Sequence, residues 1–142
     1  MAGSRDMVDL MVQRGRPTLF SNALPATVAC SADAAIDVLM SEPDRVAKLH
    51  ANVDYARSGI QDVGFEVLES PTAILPIIVH DTAKAIAMSK RLLELGVFVI
   101  GFGYPVVPEG EARLRVQISA AHERSHLDTF LQQLAVLKQE FA

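Results

Sequence analysis

Only one cysteine, Cys30, occurs in the 142 residues, so no disulfide can form within the chain. Its neighbours Thr27, Val28 and Ala29 are small and mostly apolar. They predict a buried thiol, and no histidine lies near it in sequence to make it a nucleophile. Runs of lysine or arginine are also missing. The nearest is Arg14-Gly15-Arg16, and the net charge is −4 with a pI of about 5.5. Binding nucleic acid through its phosphates needs a basic face, which makes DNA and RNA poor partners. No apolar run approaches the roughly 20 residues of a membrane span. The longest candidates, Ala73 to Val79 and Val97 to Gly103, are strand-length. With no stretch that reads as a signal peptide, a cytoplasmic protein away from membranes is expected. There is no internal repeat, no low-complexity tract and no linker, so one domain is expected. Half of the residues are hydrophobic and the mean hydropathy is +0.25. That is apolar for a lone soluble domain, and implies either a well-buried core or a face meant for a partner.

The periodicities divide the chain into helices first and a mixed part after. Ser4 can cap a helix whose Met7, Leu10 and Met11 recur at helical spacing, and Gly15 and Pro17 end it. Thr18 to Leu24 reads as a loop or a short extended piece. Pro25 suits the first turn of a second helix, with Val28, Ala32, Ala35 and Leu39 on one stripe. Pro43 opens a third, where Val46, Leu49, Val53, Ala56 and Ile60 give the strongest helical pattern, closed by Gly64. Phe65, Val67 and Leu68 then read as a short strand, and Ile74 to Val79 as a β-branched one. Pro76 cannot donate to a ladder, which places it at an edge or a bulge. Asp81 caps a helix from Thr82 to Leu95, ended by Gly96. Val97 to Ile100 is another apolar strand. Ala112 to Ser119 alternates, with Leu114, Val116 and Ile118 on one face and Arg113, Arg115 and Gln117 on the other. A last helix carries Leu127, Phe130, Leu131, Leu134 and Leu137. The order predicts an α+β fold, a small sheet flanked by helices.

Few residues offer chemistry. Arg115 lies mid-strand among apolar neighbours, and its planar fork can grip a carboxylate through two parallel hydrogen bonds. Alternation alone also puts a polar residue there, so from the pattern a solvated strand face is the commoner explanation. His122 can donate to a ligand or cap backbone groups at the strand-to-helix junction. His122 and His126 stand four apart, as a helical metal pair would, but no third ligand is evident and no metal site is expected. Ser21 and Asn22 can bind phosphate or cap a helix. Gly101-Phe102-Gly103 lacks the third glycine of a dinucleotide fingerprint and reads as a turn that lets the backbone approach something closely. Lys48, Lys84, Lys90 and Lys138 all fall on predicted exposed helix faces, and none has a setting that suggests a Schiff base.

Two stretches carry a resemblance. The segment from Gly101-Phe102-Gly103-Tyr104-Pro105-Val106-Val107-Pro108 through Ala112-Arg113-Leu114-Arg115-Val116-Gln117-Ile118-Ser119-Ala120-Ala121-His122 resembles the C-terminal motif of the α-oxoamine synthase family. It is most similar to the glycine C-acetyltransferase branch (2-amino-3-ketobutyrate CoA ligase). Arg14-Gly15-Arg16-Pro17-Thr18-Leu19-Phe20-Ser21-Asn22-Ala23-Leu24-Pro25 resembles the segment that follows the cofactor lysine in that branch.

The resemblance implies the small C-terminal domain of the fold-type I pyridoxal-phosphate transferase fold, aspartate aminotransferase-like. Residues 1–24 would be a connecting helix and loop, and 25–142 the α+β core. It implies a homodimeric parent in which pyridoxal phosphate serves as electron sink while glycine and acetyl-CoA give 2-amino-3-oxobutyrate, a step of threonine degradation. Arg115 matches the arginine that holds the amino-acid carboxylate. Ser21 matches a residue reaching the cofactor phosphate of the neighbouring subunit, and Asn22 shares its loop. His122 ends the motif with no catalytic role.

The family's lysine and large domain have no counterpart in these residues; the lysine would fall roughly ten positions before Met1. No catalytic residue is therefore expected in the chain, nor stable cofactor binding or activity from it alone. A stand-alone regulatory or catalytically dead module, binding a small ligand or pairing with itself, is the alternative.

Overall fold

The computed structural model describes residues 3–21 and 24–141. They form two compact units, Met1–Ser41 and Glu42–Ala142.

In the first unit, α1 (Arg5–Arg14) is capped as expected: the Ser4 hydroxyl accepts from the Met7 N–H at 3.4 Å, and Gly15 closes the helix. The expected loop from Thr18 is helical at its start, since α2 runs from Arg16 to Phe20. Pro17 sits in its first turn, where its fixed φ suits a helix and its missing N–H costs nothing. The third helix, α3 (Ala26–Ser41), buries no residue. The stripe of Val28, Ala32, Ala35 and Leu39 is thus helical but exposed. Cys30 is exposed too, contrary to the buried thiol expected, because α3 has no covering layer among the described residues.

The second unit holds the core. It opens with α4 (Asp44–Asp62), which buries Asn52, Val53, Ala56 and Ile60, and Gly64 just beyond takes φ +90°, a region that favours glycine. Three strands follow, β1 (Ile74–His80), β2 (Ile100–Phe102) and β3 (Ala112–Gln117), in the antiparallel order β1-β3-β2. Between β1 and β2 lies α5 (Thr82–Glu94), capped by the Asp81 carboxylate, which accepts from the Lys84 N–H at 2.6 Å. α6 (Arg124–Glu140) ends the unit. The inward face of the sheet presents Leu75, Ile77, Leu114 and Val116, which pack in one cluster with Ile60 of α4, Met88 and Leu92 of α5, and Leu134 and Leu137 of α6. Each such side chain taken out of water stabilises the fold by about 1.5–3 kcal/mol.

Two expected strands differ from the observed ones. Phe65 to Leu68 makes only an isolated bridge, Val67 to Ile77. The strand expected at Val97 to Ile100 begins instead at Ile100. The backbone before it is committed to α5: the Val97 N–H donates to Leu92 O at 2.8 Å, and Val99 O accepts from the Ser89 hydroxyl at 2.6 Å. The close approach expected at Gly101 is real and internal. A Cβ there would stand 2.6 Å from the Ala85 carbonyl oxygen, so the glycine lets β2 lie against α5.

Candidate functional site

The outward face of the sheet concentrates the chemistry. Residues opposite one another in a ladder share a face, so Pro76, Arg115 and Ile100 stand in one row, and Ile78, Arg113 and Phe102 in the next. The two arginines differ sharply. Arg113 donates from Nε to the Glu111 carbonyl at 2.9 Å and from its terminal nitrogen to the Glu111 carboxylate at 2.8 Å, which occupies its fork. Arg115 is exposed, and among the described residues no carboxylate pairs with it. Its guanidinium carbon lies 5.9 Å from the centroid of the Phe102 ring, which orients it without neutralising it. A charged planar fork held by an aromatic ring and short of an anion is suited to a carboxylate.

Beside it, β2 and β3 part company and leave a cavity of about 740 Å³. Arg115, Val97, Phe98, Ile118, His122 and Phe130 are among its lining residues. His122 caps backbone, as one of its two expected uses: its Nδ1 accepts from the Ser119 N–H at 3.2 Å. His126 does the same for the Glu123 N–H at 3.1 Å. In each neutral ring the proton then sits on Nε2, which remains a donor. With both Nδ1 atoms committed to backbone, the pair is a turn-and-helix capping device.

One contributor was not foreseen. Asn52, 5 % exposed, is the one buried polar residue among those described. Its Nδ2 donates to Ser119 O at 3.2 Å and His122 O at 2.9 Å, tying the turn after β3 to α4. The signal was present in the sequence, since an amide flanks the apolar stripe of Leu49, Val53 and Ala56.

The other expected site residue among those described belongs to the first unit. Ser21 caps α2 in the first unit, with its N–H donating to Pro17 O at 2.9 Å and its side chain exposed. Asn22 lies outside the described residues. A carbonyl cofactor held covalently needs an amine, and no lysine lines the cavity beside Arg115. Lys48 is bound to Glu123 at 2.6 Å, and Lys138 donates to Gly64 O at 2.8 Å beneath the Phe65 ring. These residues fit a substrate carboxylate and do not by themselves fit pyridoxal phosphate.

Comparison with known proteins places the chain. It is 40 % identical over 140 residues to the 8-amino-7-oxononanoate synthase of Symbiobacterium thermophilum, covering 99 % of this chain and 36 % of that protein. It is 42 % identical over 126 residues to the human mitochondrial 2-amino-3-ketobutyrate coenzyme A ligase, covering 89 % of this chain and 30 % of that protein. A solved serine palmitoyltransferase from Sphingomonas wittichii superposes with a TM-score of 0.88 at 27 % identity, over 99 % of this chain and 36 % of that one. The chain thus spans about a third of the length of the curated relatives it matches. These names fit the family-level resemblance carried by the two motifs, and they divide between members of it. The family model for aminotransferase class I and II matches residues 1–134, nearly the whole sequence, and the chain belongs to that enzyme family.

Proposed function

We propose that this chain is the C-terminal small domain of a pyridoxal-phosphate-dependent α-oxoamine synthase that joins glycine to acetyl-CoA to give 2-amino-3-oxobutyrate. In this reading residues 1–24 are the connection to a large domain that supplies the cofactor lysine, and 25–142 are the small domain. The parent is a homodimer of the cytoplasm. Arg115 carries the reading: a guanidinium beside Phe102, with no carboxylate partner among the described residues, opens on a cavity where an amino acid could lie. Arg115 binds and orients the glycine carboxylate. Phe102 restrains the arginine, and Asn52, through the Ser119–His122 turn, steadies the end of β3. Ser21, with Asn22 in the same loop, serves the cofactor phosphate of the neighbouring subunit. An 8-amino-7-oxononanoate synthase parent is the second reading, favoured by the relative from Symbiobacterium.

A chimera tests both. This chain would replace the matching third of the human ligase, and acyl transfer would be measured with glycine and acetyl-CoA. Activity with glycine and acetyl-CoA supports the glycine acetyltransferase; activity only with alanine and a longer acyl-CoA favours the second reading, whose product carries its amine on a methyl-bearing carbon. Arg115→Ala should raise the glycine KM steeply, since the large domain of the parent would bury the pair, and truncating one partner of a buried hydrogen-bonded charge pair costs about 2–5 kcal/mol. Arg113→Ala should leave KM nearly unchanged. An unchanged glycine KM in Arg115→Ala would remove the carboxylate role.

A further inference from the structure

The outward face of β3 carries two arginines, and one residue decides how many of them can meet a ligand. Arg113 and Arg115 stand two positions apart on that face, about 7 Å along an extended strand. Two free guanidiniums at such a spacing would suit an anion with a carboxylate at each end. Glu111 prevents it. Its carbonyl accepts from Arg113 Nε at 2.9 Å and its carboxylate from a terminal nitrogen at 2.8 Å, so one residue takes both sides of the fork. The Glu111 backbone is itself held, with its N–H donating to Pro108 O at 3.1 Å. Gly110, just before it, has φ +82°, and its carbonyl accepts from His80 Nδ1 at 3.0 Å. His80 is the one non-glycine residue of positive φ among those described, a conformation that persists only where the surroundings hold it. Phe102 stands opposite Arg113 in the ladder, yet its ring lies 5.9 Å from the guanidinium of Arg115, the diagonal neighbour. Arg113 is thus drawn to the turn and Arg115 to the ring.

We infer that Glu111 is a specificity-determining residue: by occupying Arg113 it leaves the face one free guanidinium, which selects an amino acid with a single carboxylate over one with two. This selection rests on the carboxylate role proposed for Arg115. A partner tethered two residues away acts at an effective concentration of roughly millimolar, so a free carboxylate at lower concentration does not displace it. With Arg113 taken, a dicarboxylate gains nothing from its second charge. With Arg113 released, the second carboxylate would become a tethered partner in its turn, and the two contacts would reinforce one another. Glu111 is 58 % exposed, so replacing it leaves the core untouched.

Titration of the 142-residue chain with acetate and with succinate at constant ionic strength tests it, followed through the NMR signals of the arginine Nε–H groups. In the unaltered chain both anions should move the Arg115 signal with similar affinity and leave that of Arg113 in place. In Glu111→Gln both arginine signals should follow succinate, and its affinity should rise at least about tenfold. Acetate should bind Arg115 of that variant much as it binds the unaltered chain. The gain for succinate should vanish in Glu111→Gln/Arg113→Ala. A succinate affinity that Glu111→Gln leaves unchanged overturns the inference. So does a gain that survives the loss of Arg113, or an Arg113 signal that already follows succinate in the unaltered chain. An Arg115 signal that follows neither anion overturns the carboxylate role and the selection together. One that follows both anions, while Glu111→Gln changes nothing, overturns the selection alone.

Discussion

α3 in the first unit and α4 in the second make opposite use of their side chains. Among its sixteen residues α3 has two charges, Asp33 and Asp37, and is otherwise small or apolar, yet it buries nothing. α4 carries Asp44, Arg45, Lys48, Asp54, Arg57 and Asp62, yet it buries Val53, Ala56 and Ile60 completely or nearly so. Apolar content does not locate a core; a narrow stripe with a layer to receive it does. A helix apolar over most of its surface belongs in the interior of something larger. That agrees with relatives about three times as long as this chain. The contrast breaks most visibly by truncation. Leu114→Ala, in the fully buried centre of β3, should cost about 2–5 kcal/mol in chemical denaturation. Leu39→Ala, on exposed α3, should stay within about 0.5 kcal/mol. Equal losses would mean that α3 is covered in solution.

A smaller effect sharpens the same contrast through a polar group. Asn52→Ala leaves Ser119 O and His122 O without their donor, at a cost of about 1–3 kcal/mol. Asn52→Asp replaces the donating amide with an acceptor and should lose at least as much. Ser31, whose hydroxyl donates to Thr27 O within α3, is exposed, and Ser31→Ala should be nearly silent. Denaturation midpoints of the three variants rank them directly.

The second unit was legible because its rules are local. The three-four spacing of Val46, Leu49, Val53, Ala56 and Ile60 and the alternation of β3 each specify a face, and the structure buries those faces except at Val46, which is exposed, and Leu49, which is half-buried; the Asp81 cap marks the start of α5, where the structure places it. Sequence reasoning failed where a local pattern competes with a tertiary one. The apolar run at Val97 to Ile100 looks like one strand, but its backbone is shared with Leu92 and Ser89 of α5, so only Ile100 enters the ladder. Cys30 looked buried because small neighbours usually signal a core; in α3 they signal only a smooth surface. Arg115 was legible as a candidate but ambiguous from alternation alone, since Arg113 obeys the same pattern. What separates them is that Glu111 occupies Arg113, and a two-residue backbone reach of that kind has no sequence periodicity.

The smallest expected effect concerns charge. In the second unit two ion pairs fasten α6 to other helices. Arg91 of α5 holds the Glu140 carboxylate of α6 with two bonds of 2.8 Å, and Lys48 of α4 holds Glu123 before α6 at 2.6 Å. These hydrogen bonds hold both carboxyls below the usual value of 4.5. As pH falls, the unfolded chain takes up its protons first while the folded chain still resists them. The contribution is therefore complete above about pH 4.5, and is lost as pH drops through the lowered folded values. In the first unit the described pair, Arg5 with Asp9 at 3.9 Å, lies within one helix and fastens nothing else. Denaturation midpoints measured from neutral pH into acid should thus fall less steeply below pH 4.5 in Glu140→Gln than in the unaltered chain. Asp9→Asn should follow the unaltered curve. High salt should shrink the difference between Glu140→Gln and the parent, because both partners are solvent-accessible and screened. Identical acid limbs for Glu140→Gln and the unaltered chain would show that α5 and α6 are held by their apolar contacts alone.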